Sequence, residues 1–367
     1  MQFGLVGSEM CIRDSHVTLY PLKGFPSTLI TQTFFLKNEV LESRIQGLYC
    51  PAGDFFIDPR GNVPRAVVTH AHSDHGRPGH GSYLCSDTCK PLLKIRIGQD
   101  CRIESLPFGK QIKIGEAIVS FHPAGHILGS AQIRIEVRGK VWVVSGDYKP
   151  QADQTCEAFE LVKCHGYVSE CTFGLPVYRW QPEQMIHQQI NHWWAENARD
   201  GRPSLLFAYS LGKAQRVLAG LDNNLGQVFV HGAVYPFLEH YERAGARLPA
   251  VIKVERGQDH DFNQAMIIAP PAVEDSTWTR KFRSARKGFA SGWMAVRGAR
   301  RRRNLDRGFI LSDHADWDGL LEVIKATEAE EIKVTHGNGD ALTRYLQEQG
   351  SNCTVLDGAG IRGEEEE

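Results

Sequence analysis

The feature that most limits what this chain can be is His70-x-His72-x-Asp74-His75, which directly follows the β-branched run Ala66-Val67-Val68-Thr69. On an extended segment, imidazoles at i and i+2 point the same way. His70 and His72 can therefore share one metal ion, while Asp74 and His75, on the turn that follows, reach a second. Chance would give this spacing on the order of once in a thousand chains of this composition. Any one of these residues alone would read better as a satisfied core or surface side chain; the set of four does not. Imidazole and carboxylate ligands without a thiolate suit zinc and tolerate manganese.

Other polar groups also stand at the ends of apolar runs. Ala117 to Phe121 reads as a strand leading into Pro123-Ala124-Gly125-His126. Ala131 to Val137 and Val141 to Ser145 flank Arg138-Gly139 as an antiparallel hairpin, and the second strand runs into Gly146-Asp147. Gly308 to Leu311 precedes Ser312-Asp313-His314, and Ile332 to Thr335 precedes His336-Gly337. Between them Asp316 caps a helix whose Leu320, Leu321 and Ile324 share a face. From about 179 to 307 the texture changes: a helix opens at Pro182-Glu183 and runs to about Asn197, and a strand at Ser204 to Phe207 enters a helix over Leu211 to Leu221. Alternating elements of this kind predict a small parallel-sheet domain inserted into the first.

Composition narrows the class. With 367 residues, 42% hydrophobic and 23% charged, the chain can bury a sizeable core and reads as about two globular domains. No apolar run reaches the ~18 residues of a membrane span, so a bilayer protein is not expected. The nine cysteines contain no C-x-x-C pair, which argues for reduced thiols in a cytoplasmic protein and against a disulfide framework or zinc ribbon. Residues 1–15 have neither the basic start nor the apolar stretch of a signal peptide and read as a non-native leader; the acidic tail 364–367 is likewise set aside.

The HxHxDH cluster, His126 in PAGHILGSAQ and Asp147 in SGDYKP resemble the signature of the metallo-β-lactamase fold, and Asp58 in FFIDP matches the acidic residue that supports a ligating histidine. Glu170 in SECTFG, His314 in SDHAD and His336 in THG are similar to the further motifs of its β-CASP branch. Within that branch YCPAGDFFIDP, THAHSDHGRPGHG, AYSLGKAQR and SGWMAVRGARRRRNLDRGFILSDHADW resemble the bacterial DNA-ligase-associated exonucleases.

The resemblance implies an α/β protein: an αββα sandwich over 16–178 and 308–363, with a β-CASP α/β domain inserted over 179–307. It implies two divalent metal ions, zinc or else manganese, held by His70, His72, Asp74, His75, His126, Asp147 and His336. The function it implies is a DNA exonuclease of repair, with DNA preferred to RNA and a functional association with an ATP-dependent DNA ligase. His314, oriented by Glu170, would be the general acid, because an imidazole titrates near working pH and a carboxylate favours its protonated form. His336 keeps an RNA-processing nuclease open, since eukaryotic DNA-specific relatives usually carry Val there. An inactive nucleic-acid-binding subunit would not need the full ligand set, and a small-molecule hydrolase would have no task for Glu170, His314 or the insertion.

A net charge of -1 looks wrong for a nucleic-acid partner, yet it is a sum of unlike parts. From Ser276 to Arg307 eleven basic residues stand against one acidic residue, Asp306, so the remainder of the chain is acidic. Arg297, Arg300, Arg301, Arg302 and Arg303 are the expected phosphate contacts, the alternative being a solvated charge run. Ser210 and Lys213, at a strand-to-helix turn, read equally as a phosphate-holding pair or as simple helix capping. If the basic segment tracks a phosphate backbone, binding of a single-stranded oligonucleotide will weaken steeply with rising salt; a flat response removes the segment from the interface.

Overall fold

The structure is a computed structural model that describes residues 39–255, 257–258, 260–296, 305–337 and 339–356. The leader at 1–15, the tail at 364–367 and the arginines Arg297, Arg300, Arg301, Arg302 and Arg303 lie outside the described residues.

The first sheet is built in chain order from β1 (Glu42–Arg44), β2 (Gly47–Cys50), β3 (Phe55–Ile57), β4 (Ala66–Val67), β5 (Tyr83–Ser86) and β6 (Ile103–Leu106). From β3 to β6 the pairing is parallel, with α1 (Cys89–Ile97) crossing between β5 and β6. The second sheet starts as an antiparallel meander of β7 (Ile112–Ile114), β8 (Ala117–Pro123), β9 (Ala131–Val137) and β10 (Lys140–Val144). It then turns parallel with β11 (Gly166–Glu170), in which every residue is buried. A strand covered on both faces is buried at successive positions, without alternation.

After α2 (Glu183–Arg199) the chain makes a third sheet from β12 (Ser204–Phe207), β13 (Val228–Val230), β14 (Val251–Lys253), β15 (Met266–Ala269), β16 (Arg286–Ala290) and β17 (Arg307–Phe309), with α3 (Lys213–Ala219) and α4 (Tyr235–Arg243) between its early strands. Its order is β14-β13-β15-β12-β16-β17 and every pairing is parallel. The chain then returns to the second sheet: after α5 (Trp317–Ala326), β18 (Glu331–Thr335) pairs with β11, and after α6 (Gly339–Glu348), β19 (Cys353–Val355) closes the edge. None of the described helices is long and apolar enough to cross a membrane.

Packing follows the apolar faces. Leu48, Phe55 and Ile57 of the first sheet meet Phe121, Ile133, Ile135 and Val144 of the second in one core. The far face of the second sheet puts Val143 and Tyr167 under Leu320, Ile324, Leu342 and Leu346 of α5 and α6. The far face of the first packs Val68 and Tyr83 on Leu92 and Leu93 of α1. This is the αββα layering of the metallo-β-lactamase fold. As expected, Asp316 caps α5, its carboxylate accepting from Gly319 N at 2.9 Å, and Leu320 and Ile324 face inward; Val323 is buried with them, while Leu321, expected on the same face, is only partly buried.

The helix expected from Leu211 starts instead at Lys213. Gly212 sits at φ 89, and a Cβ there would lie 2.2 Å from Ile127 Cγ2, so the chain makes a close-packed turn before it can coil. The β8–β9 connection is similarly tight: at Gly129 (φ +75) a Cβ would lie 2.2 Å from Cys89 N, whereas at Gly139 (φ +80) it would meet nothing within 4 Å. In denaturant titrations Gly139→Ala is expected to lose about 1 kcal/mol for backbone conformation alone, and Gly129→Ala roughly 3 kcal/mol or more. Equal losses would mean that the loop before β9 is not held as described.

Candidate metal centre

Parallel strands deliver side chains to one edge. Because Val144 pairs with Val168 and Glu170 with Thr335, the carboxyl ends of β10, β11 and β18 place Asp147, Glu170 and His336 together. In the first sheet Ile57 pairs with Val67, which sets Asp58 beside Thr69 at the start of the histidine cluster. Asp58 (φ 41) and His336 (φ 60) both occupy the left-handed region, a strained choice for residues other than glycine, where strand gives way to site.

The seven expected ligands converge in two sets around Asp147. His70, His72, His126 and Asp147 bring donor atoms within 4.8 Å of one another, as do Asp74, His75 and His336. Asp147 Oδ2 lies 3.6 Å from His70 Nε2, 3.4 Å from His75 Nε2 and 3.8 Å from His126 Nε2, so it joins the sets. The rings of His75 and His336 stack at 5.1 Å. A cleft of about 160 Å³ opens beside Asp74, His75 and His336, with Arg44 and Arg60 among its lining.

Hydrogen bonds fix which nitrogen of each ring faces inward. Thr69 Oγ1 donates to Asp58 Oδ2 at 2.6 Å, so at 3.0 Å it must accept from His70 Nδ1–H. His72 Nε2–H donates to the Leu211 carbonyl at 3.1 Å and His126 Nδ1–H to the Asp313 carbonyl at 2.8 Å. His75 Nδ1–H donates to Asp58 Oδ2 at 2.8 Å. All four rings therefore turn a lone pair toward Asp147. His126 Nε2 and His72 Nδ1 are 3.1 Å apart although each ring's other nitrogen has a carbonyl to bond, and His70 Nε2, His75 Nε2 and Asp147 Oδ1 are buried with no hydrogen-bond partner. Acceptors facing acceptors in a buried site need cations between them, and this donor set fits divalent metal ions.

Electrostatics agree. Burial, reinforced by the neighbouring imidazoles, holds His70 and His126 well below the usual histidine range, which leaves them neutral as ligands must be. Burial acts the same way on His75, but Asp74, Asp147 and Asp58 outweigh it and raise its pKa well above the usual value, so cation charge is favoured at that point. For Asp147 burial is overcome by His75, and its carboxyl is held well below the ordinary range.

His314 stands beside both sets. Its Nδ1 lies 2.9 and 3.0 Å from the two oxygens of Glu170, which also accept from Tyr148 N at 2.9 Å and Thr172 N at 3.3 Å. Its Nδ1–H is committed to that fixed carboxylate, its Nε2 lies 3.8 Å from Asp313 Oδ1, and His314, Glu170 and Asp147 place donor atoms within 4.8 Å of one another. The Trp180 indole holds the His314 carbonyl at 2.9 Å.

One expectation needs correction. Lys213 is buried at 2% exposure, with its ammonium 3.1 Å from Asp313 Oδ1, and Ser210 is buried too, so this turn does not offer the pair to a phosphate in solvent. A helix such as α3, of only seven residues, also offers little dipole. Sequence reading missed Thr69, the Leu211 carbonyl, Asp313 and Arg216, all of which hold ligands or their loops. Only Asp313, next to His314, had a local signal.

No family model matches the chain. Among curated proteins it is 31% identical over 314 residues to a "Probable DNA ligase" of Opitutus terrae, spanning 84% of this chain and 30% of that protein. It is 29% identical over 163 residues to the "Endoribonuclease YSH1" of Candida albicans, 44% of this chain and 18% of that one. An "RNase J-like protein" of Methanocaldococcus jannaschii is 28% identical over 124 residues, 33% of this chain and 30% of that one. The chain thus spans less than a third of the length of each of these relatives. A crystal structure of a protein of unknown function from Enterococcus faecalis superposes with a TM-score of 0.54 at 13% identity, covering 81% of this chain and 80% of that one, which is a likeness of fold alone.

Layering, strand-end donors and relatives together define a protein of the metallo-β-lactamase fold. Within that fold, the chain is similar to proteins of the β-CASP branch, among them relatives named as nucleases.

Since Asp58 orients both His75 and, through Thr69, His70, Asp58→Asn is expected to lower zinc affinity about 10–100-fold in a competitive chelator titration. Unchanged affinity would show that those hydrogen bonds do not support the centre.

Proposed function

We propose that the protein is a metal-dependent phosphodiesterase that hydrolyses DNA, acting as an exonuclease in repair. The observation that carries the reading is the His314–Glu170 pair standing beside Asp147, where the two ligand sets meet. A metal site alone would serve many hydrolases; a carboxylate-oriented imidazole next to it supplies the proton that a departing sugar oxygen needs.

In this reading His70, His72 and His126 with Asp147 hold one metal ion, and Asp74, His75 and His336 with Asp147 hold the other, zinc or manganese. When bound, the ions lower the pKa of water toward neutrality and neutralise charge growing on the phosphoryl oxygens. The chain's own residues do the rest. Asp58 and Thr69 keep the ring nitrogens of His75 and His70 turned inward. Glu170 fixes the tautomer of His314, whose Nε2 delivers its proton to the leaving oxygen. The parallel sheet β12–β17 with α2 to α4 is the inserted β-CASP domain, which would bring the basic segment ending at Arg307 to the substrate.

DNA as substrate, and association with a DNA ligase, are supported by the breadth of the match to the protein named as a probable DNA ligase. A ribonuclease is the second reading, favoured by His336 and by relatives named as an endoribonuclease and as RNase J-like. Matched DNA and RNA strands labelled at either end separate the two, and the product ladder separates exonuclease from endonuclease.

His314→Ala is expected to keep its full metal content while losing about 10²–10⁴-fold in turnover. If metal content falls together with turnover, His314 is a ligand and the proton-donor role is wrong.

A further inference from the structure

The segment Leu211–Arg216 contributes no ligand, yet it touches the centre repeatedly. Its Leu211 carbonyl holds His72 at 3.1 Å. Arg216, at 1% exposure, donates from Nη1 to the Ser312 carbonyl at 2.8 Å and from Nη2 to the His126 carbonyl at 3.2 Å, while Nε lies 2.7 Å from Asp153 Oδ2. One guanidinium thus ties the loop of His126 to the loop of His314. Lys213 Nζ lies 3.1 Å from Asp313 Oδ1 in a pair exposed by 2% and 1%.

Asp313 is where this bears on chemistry. Its Oδ1 is 3.8 Å from His314 Nε2, and Asp313, His126 and His314 form a further set of donors within 4.8 Å of one another. That set competes with the working one, because a metal ion in it would draw His126 from its partners and consume the His314 nitrogen. A carboxylate so deeply buried must be neutralised, and the charge can come from a metal ion or from a tethered ammonium. The chain supplies the ammonium.

The geometry points to Lys213 as a positioning residue, a fixed internal cation that satisfies Asp313, keeps metal out of the His126–Asp313–His314 set and so reserves His314 for the substrate. The last step rests on the role given to His314 above; the exclusion of metal does not.

The test counts metal. Wild type, Lys213→Leu, Lys213→Arg and the double variant Lys213→Leu/Asp313→Asn are loaded with zinc, freed of excess by gel filtration and assayed by inductively coupled plasma mass spectrometry, with circular dichroism on the same samples to establish folding. Lys213→Leu is expected to carry about one metal equivalent more per chain than wild type and to lose roughly 100-fold in turnover. Lys213→Arg and the double variant, in which the buried charge is again balanced or absent, are expected to keep the wild-type count. A folded Lys213→Leu with the wild-type count overturns the proposal. Where Lys213→Leu does not fold, the double variant decides: the wild-type count supports the proposal, and a raised or lost count overturns it. Should wild type cleave neither DNA nor RNA, the functional reading fails while the metal counts still judge this one.

Discussion

Four imidazoles around Asp147 are each held by an acceptor on the outer nitrogen, and this turns four lone pairs onto one buried carboxylate. Without cations the arrangement would be strongly unfavourable: desolvated acceptors would face one another, and an unpaired buried polar group costs about 1–3 kcal/mol. Much of the fold near the site can be understood as supplying those outer acceptors. Asp58 comes from the end of β3, Thr69 from just beyond β4, the Leu211 carbonyl from the turn after β12, and the Asp313 carbonyl from the segment after β17.

Two of the four acceptors are therefore delivered by chain that enters or leaves the third sheet. That sheet is more than a cover over the sandwich, because the orientations of His72 and His126 depend on it. The buried charges nearby follow the same logic. Arg216 holds Asp153 well below the usual carboxylate range against the opposing effect of burial, and Lys213 does so for Asp313. Removing one partner of such a pair leaves the other charged and buried, so these pairs lock the loops in place more than they add net stability.

What the sequence showed and what it hid divide along contact range. The histidine cluster, His126, Asp147, Glu170, His314 and His336 were legible because each follows an apolar run, and parallel strands bring such ends to one edge. The strand positions were legible for the same reason, within a residue or two. The supports were not. His72 and Leu211 are 139 residues apart and His126 and Asp313 187 apart, and a backbone carbonyl leaves no mark in a sequence. Lys213 misled for a physical reason: a lysine at a helix start is normally solvated, and only the tertiary position of Asp313 draws it inside. The turn at Gly212 was hidden too, since its need for a left-handed backbone comes from Ile127 across the interface.

Anomalous diffraction from zinc-loaded crystals of the wild-type protein bears on all of this at once. Two peaks are expected, one among His70, His72 and His126 and one among Asp74, His75 and His336, with Asp147 between them and no density at Asp313. An empty centre, or a peak among His126, Asp313 and His314 in place of these, would contradict it.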